Sequence, residues 1–216
     1  MTPQPATLAD QVYQQLREQI IRGVLSPGTR LVQRQLAKQL GTSSIPVLEA
    51  IRRLERDGLV SSHPRWGAQV ECWTKEDIEG AYLMREALEG VAGRLFAERA
   101  TPMERMALEE CHTQFIQTVR MHDEYAIGDA DVALHQHIFH CTRSRIFYRL
   151  AENSCVITTT IYNASRLLAV GQRTLPDEET HCDLVAALLS GDPDRAERAA
   201  KEHVRMSMQR LLISIA

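Results

Sequence analysis

What this 216-residue sequence lacks narrows the field first. No apolar stretch approaches the ~18 to 20 residues that cross a bilayer. The opening Met1–Asp10 carries prolines and an acid and has no basic-then-apolar leader layout. A membrane partner is therefore not expected, and the chain reads as cytoplasmic. Cysteine is scarce and unpaired: Cys72, Cys111, Cys141, Cys155 and Cys182 are odd in number and form no CxxC. That argues against a disulfide framework or a zinc ribbon and for reduced, mostly buried thiols. The HExxH signature is missing too, and no general base is placed by spacing. The expectation is that the chain is not an enzyme.

Charge is present in both signs but unevenly spread. Residues 1–73 hold nine Lys/Arg against six Asp/Glu, a balance of +3, while residues 74–216 stand at −6. Seven of the eight histidines fall in the second part. A basic part that can meet a polyanion and an acidic, histidine-bearing part point to two jobs in two domains, 1–73 and 74–216.

In the first part, Leu8, Val12, Leu16, Ile20 and Ile21 recur at helical spacing over about Leu8 to Arg22. A short helix over about Gln33 to Leu40 ends at Gly41, and a third begins after Thr42-Ser43-Ser44 with Pro46 in its first turn. At about 100° per residue, Val47, Ala50, Ile51 and Leu54 share a core face, while Leu48, Glu49, Arg52 and Arg56 share a free one. Leu59–Val70 then reads as two extended runs around a turn with a basic tip, a small hairpin. Together these make a winged helix-turn-helix, whose third helix can enter a DNA major groove. A three-helix protein-interaction module with a solvated face has the same pattern.

The residues Leu36-Ala37, Leu40-Gly41, Pro46-Val47, Glu49–Glu55 and Asp57–Val60, followed by Pro64, Arg65 and Gly67-Ala68, resemble the DNA-binding domain of GntR-family transcriptional regulators. The resemblance runs over residues 10–71 and implies binding to a double-stranded, pseudo-palindromic operator. It also implies DNA contacts at Arg34, Ser43, Ser44, Arg52 and, on the wing, Arg65. Where the family usually has Arg after the turn Ser, Thr before the Pro and Arg after Pro-Val, this chain has Ser44, Ile45 and Leu48. Leu48 is then expected to pack on a thymine methyl instead of hydrogen bonding.

The second part reads as six helices, at about 78–100, 102–121, 123–141, 145–169, 177–190 and 193–213, which predicts an all-α antiparallel bundle with ligand sites inside it. Ile78, Tyr82, Met84, Leu88, Val91 and Leu95 carry the periodicity of the first. Asp131 and His135 lie four apart on one helix face, His181 opens a later helix and His203 lies on the next. Three imidazoles and a carboxylate suit a borderline divalent cation. By spacing alone, a surface or satisfied core pair is the commoner reading.

Tyr82–Glu89, Asp131–His135 and Glu179-Thr180-His181, then Gly191-Asp192, Ala196 and His203, resemble the successive motifs of the FCD effector domain, found in the FadR-type branch of the same family. Six helices rather than seven resemble its VanR-like subgroup. The resemblance implies metal ligands at Asp131, His135, His181 and His203, zinc before nickel, cobalt or manganese. It also implies a small carboxylate effector and a homodimer. Arg85 can pair a carboxylate through its guanidinium fork, or make a structural ion pair with Glu86 or Glu89. Asn163 and Arg166 are further polar candidates for the effector. His137 and His140 lie on other faces and read as packing or surface residues. The expected function is a DNA-binding regulator, in the repressor sense, controlled by an organic acid. A metal-dependent hydrolase and an oligomerisation module with degenerate DNA binding are the alternatives.

Overall fold

Thr7 begins the first helix by a reciprocal cap. Its side chain accepts from the Asp10 amide, and the Asp10 carboxylate accepts from the Thr7 amide. The computed structural model describes residues 6–65, 67–168 and 176–215, with backbone alone for 166–168 and 214–215. The chain divides into two compact units: Met1–Thr74 with Thr160–Leu167, and Lys75–Thr159 with Leu168–Ala216. Among the described residues no helix is long and apolar enough to cross a membrane.

The first unit holds α1 (Leu8–Ile21), α2 (Gln33–Gln39), α3 (Ser44–Arg56) and the strands β1 (Val60–His63) and β2 (Gly67–Val70). Val12, Leu16 and Ile20 of α1 are buried together with Val47, Ala50, Ile51 and Leu54 of α3. Polar contacts reinforce that packing: the Tyr13 hydroxyl donates to Asp57 at 2.6 Å, and Arg53 pairs with Asp10 at 2.5 Å while lying over the Tyr13 ring. Gly41, at φ +62°, supplies the left-handed turn between α2 and α3. The strands pair antiparallel, His63 opposite Gly67 and Val60 opposite Val70, and the stretch through Thr29 and Leu31 bonds along the other edge of β2. The hairpin therefore has a third, partial strand behind it.

The second unit is helical: α4 (Lys75–Arg99), α5 (Pro102–Met121), α6 (Glu124–His140), the first part of α7 (Arg145–Leu168), α8 (Cys182–Leu189) and α9 (Pro193–Ile215). Thr101 caps α5 with the same reciprocal box, Glu104 answering it, and Pro102 follows the cap. α4 and α9 run closely together because Gly93 has no side chain; a Cβ there would stand 3.1 Å from the Ala196 carbonyl oxygen. Phe96, Leu108, Leu134, Phe139 and Leu188 form the centre of the core. Arg105 donates to the carbonyls of Ala97 and Leu188, closing the ends of two helices at once.

Two expectations need correction. The fifth helix begins at Cys182, because Asp177–Thr180 folds into a turn in which the Asp177 carboxylate and the Thr180 hydroxyl bond each other. On α4, Met84 and Val91 are exposed, and the buried stripe runs Ile78, Tyr82, Arg85, Glu89, Ala92, Phe96. A pair of opposite charges replaces the aliphatic side chains within the helical repeat.

Candidate functional site: a histidine cluster and a DNA-facing helix

Asp131 and His135 stand one turn apart on α6, His181 is the residue preceding α8, and His203 lies within α9. The second unit brings all four together. Ring centroids are 5.5 Å apart for His135 and His181, 5.2 Å for His135 and His203, and 4.6 Å for His181 and His203. One donor nitrogen from each ring lies within 4.8 Å of the other two. Asp131 Oδ1 is 3.1 Å from His181 Nε2 and 3.9 Å from His135 Nε2.

Each ring is steadied from behind. Phe115 meets His181 edge-on at 4.4 Å between centroids. The Thr180 carbonyl, 3.2 Å from His203 Nδ1, can only accept, so Nδ1 carries the hydrogen and Nε2 keeps its lone pair. Glu89 Oε2 stands 2.8 Å from His135 Nδ1, which favours the proton there and leaves Nε2 toward Asp131. Glu89 is itself held by Arg85, 2.5 Å from its other oxygen, and Arg85 donates to the Thr158 hydroxyl at 3.3 Å.

Electrostatics suit a cation. Burial holds the imidazoles of His181 and His203 below the ordinary histidine range, His203 far below it, so both are neutral lone-pair donors. Burial works to raise the Asp131 and Glu89 carboxyls, but the His181 N–H facing Asp131 and the Arg85 guanidinium beside Glu89 outweigh it and hold both ionised. The His135 and His181 nitrogens meet the Glu89 and Asp131 carboxylates at 2.8 Å and 3.1 Å but make no hydrogen bond of good alignment. Poorly bonded buried nitrogens are costly, and a cation held by one nitrogen of each ring would satisfy those that face the cluster. Three imidazoles and one ionised carboxylate fit a borderline divalent ion.

The other candidates fall differently. Arg85 is committed to Glu89 and Thr158, which is the structural ion pair rather than a free carboxylate fork. Asn163 belongs to the first unit, where its amide donates to the Ile21 carbonyl at the end of α1. The side chain of Arg166 lies outside the described residues. His137 bonds the Glu104 carbonyl and His140 stacks on Tyr148, both packing roles. Glu89 is the residue that sequence reasoning missed as part of the site; its signal is the Arg85–Glu89 spacing of four.

In the first unit, α3 is held on its core by Val47, Ala50, Ile51 and Leu54, which leaves Ile45, Leu48, Glu49, Arg52 and Arg56 exposed. Ser43 precedes the helix, but its side chain makes no cap bond. Ser44 is partly buried, and its carbonyl accepts from Gln33 at 2.6 Å, which fixes α2 against α3. Leu48 and Arg52 share a groove of about 450 Å³ with Arg30, Gln33 and Gly67. Arg34 is exposed on α2 and Arg65 at the hairpin tip.

An exposed third helix beside a basic hairpin, with a separate helical unit built around a polar cluster, defines a transcriptional regulator with a winged helix-turn-helix and an effector domain. Residues 8–70 match the bacterial regulatory proteins of the gntR family, and residues 80–206 match the FCD domain. The chain belongs to the GntR family, in its FadR-type branch with a C-terminal FCD domain. It is 34% identical over 207 residues to a probable D-xylose utilization operon transcriptional repressor of Paenarthrobacter nicotinovorans, covering 92% of this chain and 86% of that protein. The HTH-type transcriptional repressor RspR of Escherichia coli (strain K12) is 26% identical over 90% of this chain and 85% of its own length. The solved structure of E. coli McbR/YncC matches with a TM-score of 0.84 at 26% identity, covering 98% of this chain and all of that one. The protein is thus a DNA-binding regulator of transcription.

Proposed function

We propose that this protein is a dimeric repressor whose grip on a pseudo-palindromic operator is controlled by a small organic acid bound at a metal in the FCD domain. The observation that carries the reading is the meeting of Asp131, His135, His181 and His203 inside one unit, with four ring nitrogens lacking an aligned partner. These residues would hold the ion, with zinc the first expectation. The ion would supply a positive centre and open positions for a carboxylate. Because Arg85 and Asn163 are engaged elsewhere, the effector carboxylate is assigned to the cation rather than to either side chain. Repression is supported by the names of two relatives.

A homodimer follows from the operator symmetry, since two copies of one helix read two half-sites. The exposed side chains of Leu83, Met84, Ala87 and Val91 along one side of α4 offer an apolar strip for such an interface. Effector control requires the acid to bind the DNA-competent and DNA-released arrangements with different affinity.

The test is operator binding followed by fluorescence anisotropy while a panel of small mono-, di- and hydroxycarboxylates is titrated. At least one acid should weaken binding tenfold or more in metal-loaded protein and have no effect after chelator treatment. An equal response in loaded and stripped protein, or none from any acid, would overturn the assignment.

A further inference from the structure

The exposed face of α3 has an unusual chemistry for a surface that meets DNA. Ile45 is 70% exposed and Leu48 37%, although both belong to a helix whose opposite side is fully packed. They lie three apart in the first turns, on the same side, with Glu49 next to them and Arg52 one turn beyond Leu48. The N-terminal half of the face therefore offers two aliphatic side chains and one carboxylate, while Arg52 and Arg56 follow along the helix and Arg30 shares the groove with Leu48.

Base edges in the major groove answer to these groups selectively. Thymine alone presents a methyl, and adenine and cytosine present amino donors, whereas guanine presents two acceptors, N7 and O6. Ile45 and Leu48 have nothing to give a guanine edge, and Glu49, which only accepts, is repelled by it. An aliphatic side chain seated on a thymine methyl removes both from water, and the adenine amino group of the same pair can face a carboxylate. Burying Leu48 and Ile45 also removes the cost of keeping them wet.

Resting on the DNA-binding reading above, we infer that Ile45 and Leu48 select thymine methyls in the operator half-site and that Glu49 excludes guanine from the base edge it faces. Affinity comes from the surrounding arginines on phosphates, and sequence selection comes from an apolar contact. The groove beside Leu48 and Arg52 gives the face its depth, so the half-site centre is read by shape and methyl pattern, not by arginine forks.

The experiment starts by selecting binding sites from a random duplex library with the full-length protein. Each thymine of the selected site is then replaced by deoxyuridine, which deletes the methyl and nothing else. Each guanine is replaced by 7-deazaguanine, which removes N7. One or two uridines per half-site should weaken binding about fourfold each, and Leu48→Ala should erase the effect at one of those positions. Leu48→Arg should shift the selected half-site toward guanine while leaving salt dependence in place. If uridine is neutral everywhere and 7-deazaguanine costs tenfold or more, the inference is wrong and the regulator reading stands. If the protein shows no salt-dependent binding to any duplex, the DNA-binding reading falls with it.

Discussion

α3 and α4 break the apolar-in, polar-out rule in opposite directions. α3 exposes Ile45 and Leu48, and α4 buries Arg85 and Glu89 at 5% and 3% exposure. Scattered exposed apolar residues are common, but a matched pair on the one free face of a helix, or a charge pair inside a core, has a cost that needs a reason. On α3 the inferred reason lies outside the molecule, in a groove of DNA. On α4 it lies inside, where Glu89 connects a buried guanidinium to the ring of His135. The same helical repeat thus marks a proposed recognition surface in one unit and an internal support in the other.

Glu89 is where the buried pair is most vulnerable. Glu89→Ala leaves Arg85 charged and buried without its partner, and chemical denaturation should show a loss of about 3 to 5 kcal/mol. Adding Arg85→Met should restore much of it, because removing both charges removes the uncompensated one. Equal stability of the single and double variants would mean that the pair is not coupled.

A smaller effect tests an ion pair of the same chemistry in a wetter place. Asp10, paired with Arg53 and capping α1, has its carboxyl lowered from 3.8 to about 2, first by the Thr7 hydroxyl and then by Arg53. A folded value below the unfolded one contributes stability that is present above pH 3.8 and lost as pH falls through about 2. The stability gap between the parent and Asp10→Asn should therefore be constant above about pH 5 and close toward pH 2. A gap that widens on acidification would contradict this direction. At the bottom of the scale, Ile45→Ser should change the unfolding free energy by less than about 0.5 kcal/mol, since the side chain holds nothing in the fold. A loss of 2 kcal/mol or more would return Ile45 to the core and weaken its role in reading DNA.

How much of this could be read from the sequence follows the same contrast. The α3 faces were legible because helical period and residue type agree: Val47, Ala50, Ile51 and Leu54 are apolar and buried. On α4 type and burial part company, so counting Met84 and Val91 as core misplaced the stripe, and the charge pair that replaces them was visible only as a spacing of four. Asp131 and His135 were linked by spacing, but His181 and His203 join them through tertiary packing that no local pattern encodes. Family resemblance supplied that link. Asn163 looked like a pocket residue because it is polar in an apolar helix, whereas the end of α1 presents it with an unpaired carbonyl at Ile21.

The cluster is the centre of the account, and the most direct test is metal content by mass spectrometry of protein purified without an affinity tag, alone and as His181→Ala. Close to one divalent ion per chain is expected in the parent and its loss in the variant, with the fold retained. No metal in either protein after growth with zinc supplied, or the same stoichiometry in both, would contradict it.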